Sequence, residues 1–178
     1  MSAHGPRYGM LQRALHWWIA GVLPAQWLLG WLAERASART LEDVLLVTHF
    51  QLGLLIFTAM AWRILARWRH GAPDAPPGCS AAVRMVRRAT HLALYALLLV
   101  LPISGYVLWH WNALPLNLFG VDLPALFVPP VDDERARALA WYLHVYAAWL
   151  LLGLIGTHLS AGAWHHLIRH QPVLQRMR

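Results

Sequence analysis

Four apolar stretches, each about 20 residues long, set the frame of this chain: roughly 15–33, 44–66, 89–109 and 139–162. A bilayer core admits only helices or closed barrels, so the pattern predicts an all-α integral membrane four-helix bundle, with residues 1–178 as a single membrane domain. Pro24 and Pro102 fall inside two of these runs and predict kinks rather than breaks. The first apolar run follows MSAHGPRYGM with no clear small-residue cleavage site, so it is expected to remain as a span. The segment from Trp109 to Pro130 is apolar but interrupted by Pro115, Pro124, Pro129 and Pro130, which predicts a cap lying on the outer face.

Charge then orients the bundle. All 15 basic residues are Arg, and eleven of them (Arg7, Arg13, Arg63, Arg67, Arg69, Arg84, Arg87, Arg88, Arg169, Arg176, Arg178) lie in the N-terminus, second connection and C-terminus, opposed only by Asp74. The first and third connections hold Arg35, Arg39, Arg135 and Arg137 against Glu34, Glu42, Asp43, Asp122, Asp132, Asp133 and Glu134. By the positive-inside rule both termini are cytoplasmic. This distribution also argues against reading the net charge of +7 as a nucleic-acid footprint. The 58% hydrophobic and 13% charged residues argue against a water-soluble globule, and the lone Cys79 excludes a disulfide framework. Trp17, Trp18, Trp31, Trp109, Trp111 and Trp141 fall near span ends, as an aromatic belt requires.

Histidine is where chemistry enters. A polar side chain within hydrocarbon is expensive, so an intramembrane imidazole implies a role. Of the 11 His, five lie in the spans and fall at two depths: His49 and His144 near the outer surface, His16, His91 and His158 near the inner. His144 and His158 are 14 residues apart on one helix, a rise of about 21 Å with an angular remainder of about 40°, so both face the bundle interior. The stripe between them, Ala148, Leu151 and Ile155, is apolar and suits a porphyrin.

Haem iron with two imidazoles needs one His from each of two helices at equal depth. The pairing that follows is His49 with His144 outside and His16 with His158 inside, holding two haem b. Zinc prefers a compact set of three or four ligands and fits this arrangement less well. The residues four positions on, Ala20, Gly53, Ala148 and Gly162, are small, whereas Tyr95 follows His91 at that spacing and favours His91 as a non-ligand. His4, His70, His110, His165, His166 and His170 lie at or beyond span ends and are expected in water or among headgroups.

HWW in the first span, THF in the second, THLALY in the third, and YLHVY followed by GTHLSAGAWHH in the fourth give the chain a likeness to a known group. From about Tyr8 to Arg176 it resembles the bacterial cytochrome b561 family. That resemblance implies a four-helix bundle in the inner membrane with two bis-histidine b haems, whose ligand positions match His16, His49, His144 and His158. It implies electron transfer to ubiquinone and, as in superoxide oxidases, superoxide as the outer donor. By the same resemblance the inner quinone pocket involves His91, with Arg84, Arg87 and Arg88 as basic candidates. Physically, a cation favours negative charge developing on a quinone, and an imidazole can supply the proton. The outer face carries a net charge of about −3, so superoxide steering would need a local positive mouth formed by Arg35, Arg39, Arg135 or Arg137.

Two other readings compete. One is the cytochrome subunit of a hydrogenase or formate dehydrogenase, which needs an outer docking surface such as Trp109 to Pro130. The other is a non-redox scaffold, which predicts a colourless protein. No obligate protein partner and no nucleic acid are indicated; lipid, ubiquinone and superoxide are the expected partners.

Overall fold

The computed structural model describes residues 8–71, 80–111, 116–126, 130, 132–171 and 177. His4, Arg7, Asp74, Cys79, Pro115, Pro129, Arg176 and Arg178 lie outside the described residues. Four long helices carry the apolar runs: α1 (Met10–Ala33), α2 (Arg39–His70), α3 (Ala81–Trp109) and α4 (Glu134–Leu167). Their ends follow local chemistry. Ser80 caps α3 by accepting from Val83 N–H at 3.3 Å, and Asp133 caps α4 by accepting from Ala136 N–H at 2.9 Å. Arg67, Arg69 and His70 in the last turn of α2 suit the negative end of its dipole, and Gly71, at φ +70°, stops it.

Helices α2, α3 and α4 are each long and apolar enough to cross a membrane. The 24 residues of α1 reach about 36 Å, which is long enough, but Gln12, Arg13, His16 and Gln26 lower its hydropathy. Both α1 and α3 run through their internal prolines, Pro24 and Pro102.

Neighbours in sequence pack side by side, α1 on α2, α2 on α3 and α3 on α4, whereas α1 and α4 stand apart at backbone level. The α1–α3 side is filled by Ile19, Ala59 and the fully buried Met60, with Leu15, Leu23, Ile64, Tyr95, Leu98 and Leu99 packed around them. Gln12, buried in this side, donates to the carbonyls of Ala66 at 3.1 Å and Gly71 at 3.2 Å and so ties the start of α1 to the end of α2. Trp27 on α1 reaches across to Trp149 on α4, their rings edge to face at 5.2 Å.

The third connection holds an element absent from the helical pattern. Strands β1 (Asn117–Leu118) and β2 (Val121–Asp122) form a two-residue hairpin, with Phe119 and Gly120 both at positive φ. Tyr106 anchors the chain beyond it, its hydroxyl donating to Pro124 O at 3.0 Å and accepting from Leu126 N at 2.8 Å. Phe119, Val121 and Leu126 point outward. Of the belt tryptophans, Trp17, Trp18, Trp31 and Trp141 are exposed as anchoring requires. Trp109 differs: it is buried and stacked on Phe50 of α2 at 4.2 Å, because it sits where the end of α3 meets that helix.

Candidate functional site

With the backbones of α1 and α4 not closely packed, a cavity of about 2080 Å³ runs down the bundle and is lined by His16, His49, His91, His144 and His158. Single ligand pockets are usually about 300–1,000 Å³. The space exceeds one cofactor.

His49 on α2 and His144 on α4 face each other with ring centroids 6.0 Å apart at 74°. His16 on α1 and His158 on α4 do so at 6.5 Å and 78°. A metal–imidazole nitrogen bond is about 2 Å and the ring centre lies about 1 Å further, so two imidazoles on opposite sides of one iron hold centroids about 6 Å apart. Both pairs fit that span. Each also joins helices whose backbones are not closely packed, α2 with α4 and α1 with α4, which leaves width for a macrocycle.

His91 is the third imidazole at the inner depth. Its centroid is 5.4 Å from that of His158, shorter than the iron span, and it sits on α3, which packs tightly against α4. His91 Nδ1 lies 2.7 Å from Arg87 O of its own helix. Among the described residues no cluster of three or more His, Cys, Asp or Glu is arranged to hold a metal by itself, so a zinc centre finds no ligand set there.

The outer imidazoles are gripped by the protein in matching ways. His49 Nδ1 lies 2.9 Å from Gln26 O on α1, and four residues further on Gly30 has no side chain to obstruct the ring. His144 Nδ1 lies 2.9 Å from Ser104 Oγ on α3, and the adjacent Gly105 clears its ring. Ser104, itself buried, donates to Leu101 O at 3.0 Å. With Nδ1–H directed to these acceptors, Nε2 of each ring is the metal-binding atom; that of His144 faces the cavity, and that of His49 meets only the Gln26 side-chain amide, at a long 3.4 Å, which a bound metal would displace. Gln26, Gly30, Ser104 and Gly105 were not singled out from sequence. The small residues at the i+4 positions do not play that part: a Cβ on Gly53 would meet Gln26 Nε2 at 3.2 Å, and one on Gly162 would meet nothing. At the outer end, the indole N–H groups of Trp109 and Trp111 are buried without a hydrogen-bond partner among the described residues and line the cavity, where they suit carboxylate acceptors such as haem propionates.

The chain matches the prokaryotic cytochrome b561 family over residues 7–178. It belongs to that family. It is 32% identical to Cytochrome b561 homolog 2 of Escherichia coli K12 over 174 residues, covering 96% of this chain and 90% of that protein. It is 26% identical to Cytochrome b561 homolog 1 of the same organism, with 96% of each chain covered. A third relative, at 26% identity with 96% and 95% covered, bears the name Probable superoxide oxidase CybB in Yersinia pestis. As a cytochrome b561 this chain is a multi-pass protein of the bacterial inner membrane that binds b-type haem and transfers electrons.

Around the inner imidazoles of this cytochrome, one cation lies deeper than its reading as a topological charge implied. Arg63 on α2 donates from Nε to Tyr95 Oη at 3.1 Å and from Nη1 to Gln12 O at 2.9 Å. Gln12 is one turn from His16 and Tyr95 one turn from His91, so Arg63 stands beside the inner imidazoles and lines the cavity. Its signal was present in the sequence, since position 63 falls within the apolar run 44–66, where a charge implies function. Of the basic quinone candidates, Arg87 lines the cavity with His91, while Arg84 and Arg88 are exposed on the outside of α3 and do not. At the outer rim, Arg35 pairs with Glu34 at 3.3 Å, Arg39 with Asp43 at 3.1 Å and Arg137 with Glu134 at 2.8 Å, whereas Arg135 is exposed. Three of the four arginines proposed for a positive mouth are thus met by neighbouring carboxylates.

Proposed function

We propose that this cytochrome crosses the membrane four times with both termini in the cytoplasm, holds two b haems, and oxidises superoxide outside while reducing ubiquinone inside. The observation that carries this reading is the pair of facing imidazole couples, His49/His144 and His16/His158, at two depths set by 14 residues of α4. Its other support is the name of the Yersinia relative.

Bound haem would supply one-electron exchange at each depth. The chain's own residues do the rest. His49 and His144 bind from α2 and α4, oriented by Gln26 O and Ser104 Oγ, while Gly30 and Gly105 leave room for the rings. His16 and His158 bind at the inner depth. Ala148, Leu151 and Ile155 keep the stretch between them apolar, so water and protons do not follow the electron. On the inner side, Arg63 and Arg87 favour negative charge on the quinone and His91 passes it a proton. Arg84 and Arg88, facing outward, hold anionic headgroups. Two superoxide ions give up one electron each and become two O₂; with two cytoplasmic protons those electrons convert one quinone to quinol.

Rapid mixing of superoxide with the purified, quinone-loaded cytochrome tests the reading. Haem bands should reduce and then reoxidise only when quinone is present, and the His144→Ala protein should lose the fast reduction. A colourless preparation would remove the proposal. Constant copurification with a large periplasmic partner, and no reaction with superoxide, would favour the hydrogenase or formate dehydrogenase type of subunit.

A further inference from the structure

We infer that the surroundings of the two imidazole pairs order the haem potentials, with the outer lower than the inner, so that electrons fall inward without an external push. The inference rests on the two-haem reading above and deepens it. With imidazoles as the residues that would hold both haems, ligand identity would not distinguish the two, and the difference would come from hydrogen bonding and local charge.

At the outer pair, both Nδ1–H groups are drawn toward oxygen. His49 Nδ1–H donates to Gln26 O at 2.9 Å. His144 Nδ1–H donates to Ser104 Oγ at 2.9 Å, and the Ser104 hydroxyl donates onward to Leu101 O at 3.0 Å, a relay in which each bond polarises the next. A ring whose N–H is pulled toward an acceptor becomes a more basic ligand, and a more basic ligand favours ferric over ferrous iron. Both outer imidazoles therefore lower the potential of the iron they hold.

The inner pair has the opposite surroundings. Among the described residues neither His16 nor His158 has a hydrogen-bond acceptor at its ring. Instead the permanently charged Arg63 stands alongside, fixed by Tyr95 Oη at 3.1 Å and Gln12 O at 2.9 Å. Arg67 lies 5.6 Å from the centre of the Tyr95 ring, and no carboxylate pairs with Arg63 among the described residues. In a low-dielectric bundle an uncompensated cation favours the added electron, which raises the inner potential. Ser104 and Arg63 are thus positioning and tuning residues that act through the imidazoles and the local field.

Redox titration of the intact cytochrome in detergent, following the haem bands without donor or quinone turnover, tests this. The wave missing from the His49→Ala protein marks the outer haem. The wild type should show two waves with the outer one lower. Ser104→Ala should raise the outer wave alone and alter its low-spin EPR signal, while Ser104→Thr, which keeps the hydroxyl, should restore both. Arg63→Gln should lower the inner wave alone, and Arg63→Lys should leave it near the wild-type value. If His49→Ala cannot be purified, the two waves are still separated by which variant moves each. An outer wave at or above the inner one, or Ser104→Ala and Arg63→Gln proteins with unshifted waves, would overturn the inference while leaving two haems in place. A protein with one haem or none would overturn the two-haem reading itself.

Discussion

Gly30 on α1 and His49 on α2 approach so closely that a Cβ at position 30 would lie 3.0 Å from His49 Cε1. The relation repeats at Gly105 and His144, at 3.1 Å. In each case the helix that supplies the acceptor for Nδ1 also supplies the gap that lets the ring reach it. Ala is the better helix former by about 1 kcal/mol, yet Gly30→Ala and Gly105→Ala should weaken haem retention about 10–100-fold because the ligand ring is displaced. Gly153→Ala and Gly156→Ala, where an added Cβ meets nothing within 4 Å, should keep full haem content. Haem-to-protein ratios after dilution into apomyoglobin would show the contrast.

Substitution of the imidazoles themselves separates the ligands from the bystander. His16→Ala or His158→Ala should each leave one haem per chain, as should His49→Ala or His144→Ala, whereas His91→Ala should keep two and slow quinone-dependent reoxidation. Pyridine haemochrome counting checks the first part and reoxidation kinetics the second. Loss of a haem from the His91→Ala protein would move the inner ligand from α1 to α3.

Gln12 holds two helices together through buried hydrogen bonds to Ala66 O and Gly71 O. Gln12→Leu should fill similar space but remove one donor from Gly71 O and one from Ala66 O, which keeps His70 Nδ1 at 3.0 Å, at a cost of about 1 kcal/mol. The midpoint of thermal haem release should fall. Because Arg63 is held by the backbone carbonyl of residue 12, the inner haem spectrum should be unchanged.

The acid-paired rim makes a kinetic prediction. With Arg35, Arg39 and Arg137 already matched by Glu34, Asp43 and Glu134, little positive field reaches an approaching anion. Reduction by superoxide should change less than about threefold between low and high salt, against tenfold or more for a steered encounter. Steep salt dependence in wild type, lost in Arg135→Gln, would locate a mouth at Arg135 instead.

Much of this protein follows from the order of its residues. Runs of apolar side chains with no water to satisfy their backbone have one local solution, so the four helices could be placed without knowing how they meet. The two depths of histidine follow as directly, since 1.5 Å per residue turns sequence spacing into height. Tertiary packing decided the rest. That α1 and α4 stand apart, that Gln26 O and Ser104 Oγ face His49 and His144, and that Gly30 and Gly105 make way for those rings depend on how each helix is rotated and tilted against its neighbours. Local sequence leaves that rotation open, because in a helix apolar on most sides no strong amphipathic stripe selects one face. Arg63 shows the same division: its presence in an apolar run was visible, but only the meeting of α1, α2 and α3 placed it beside the inner imidazoles.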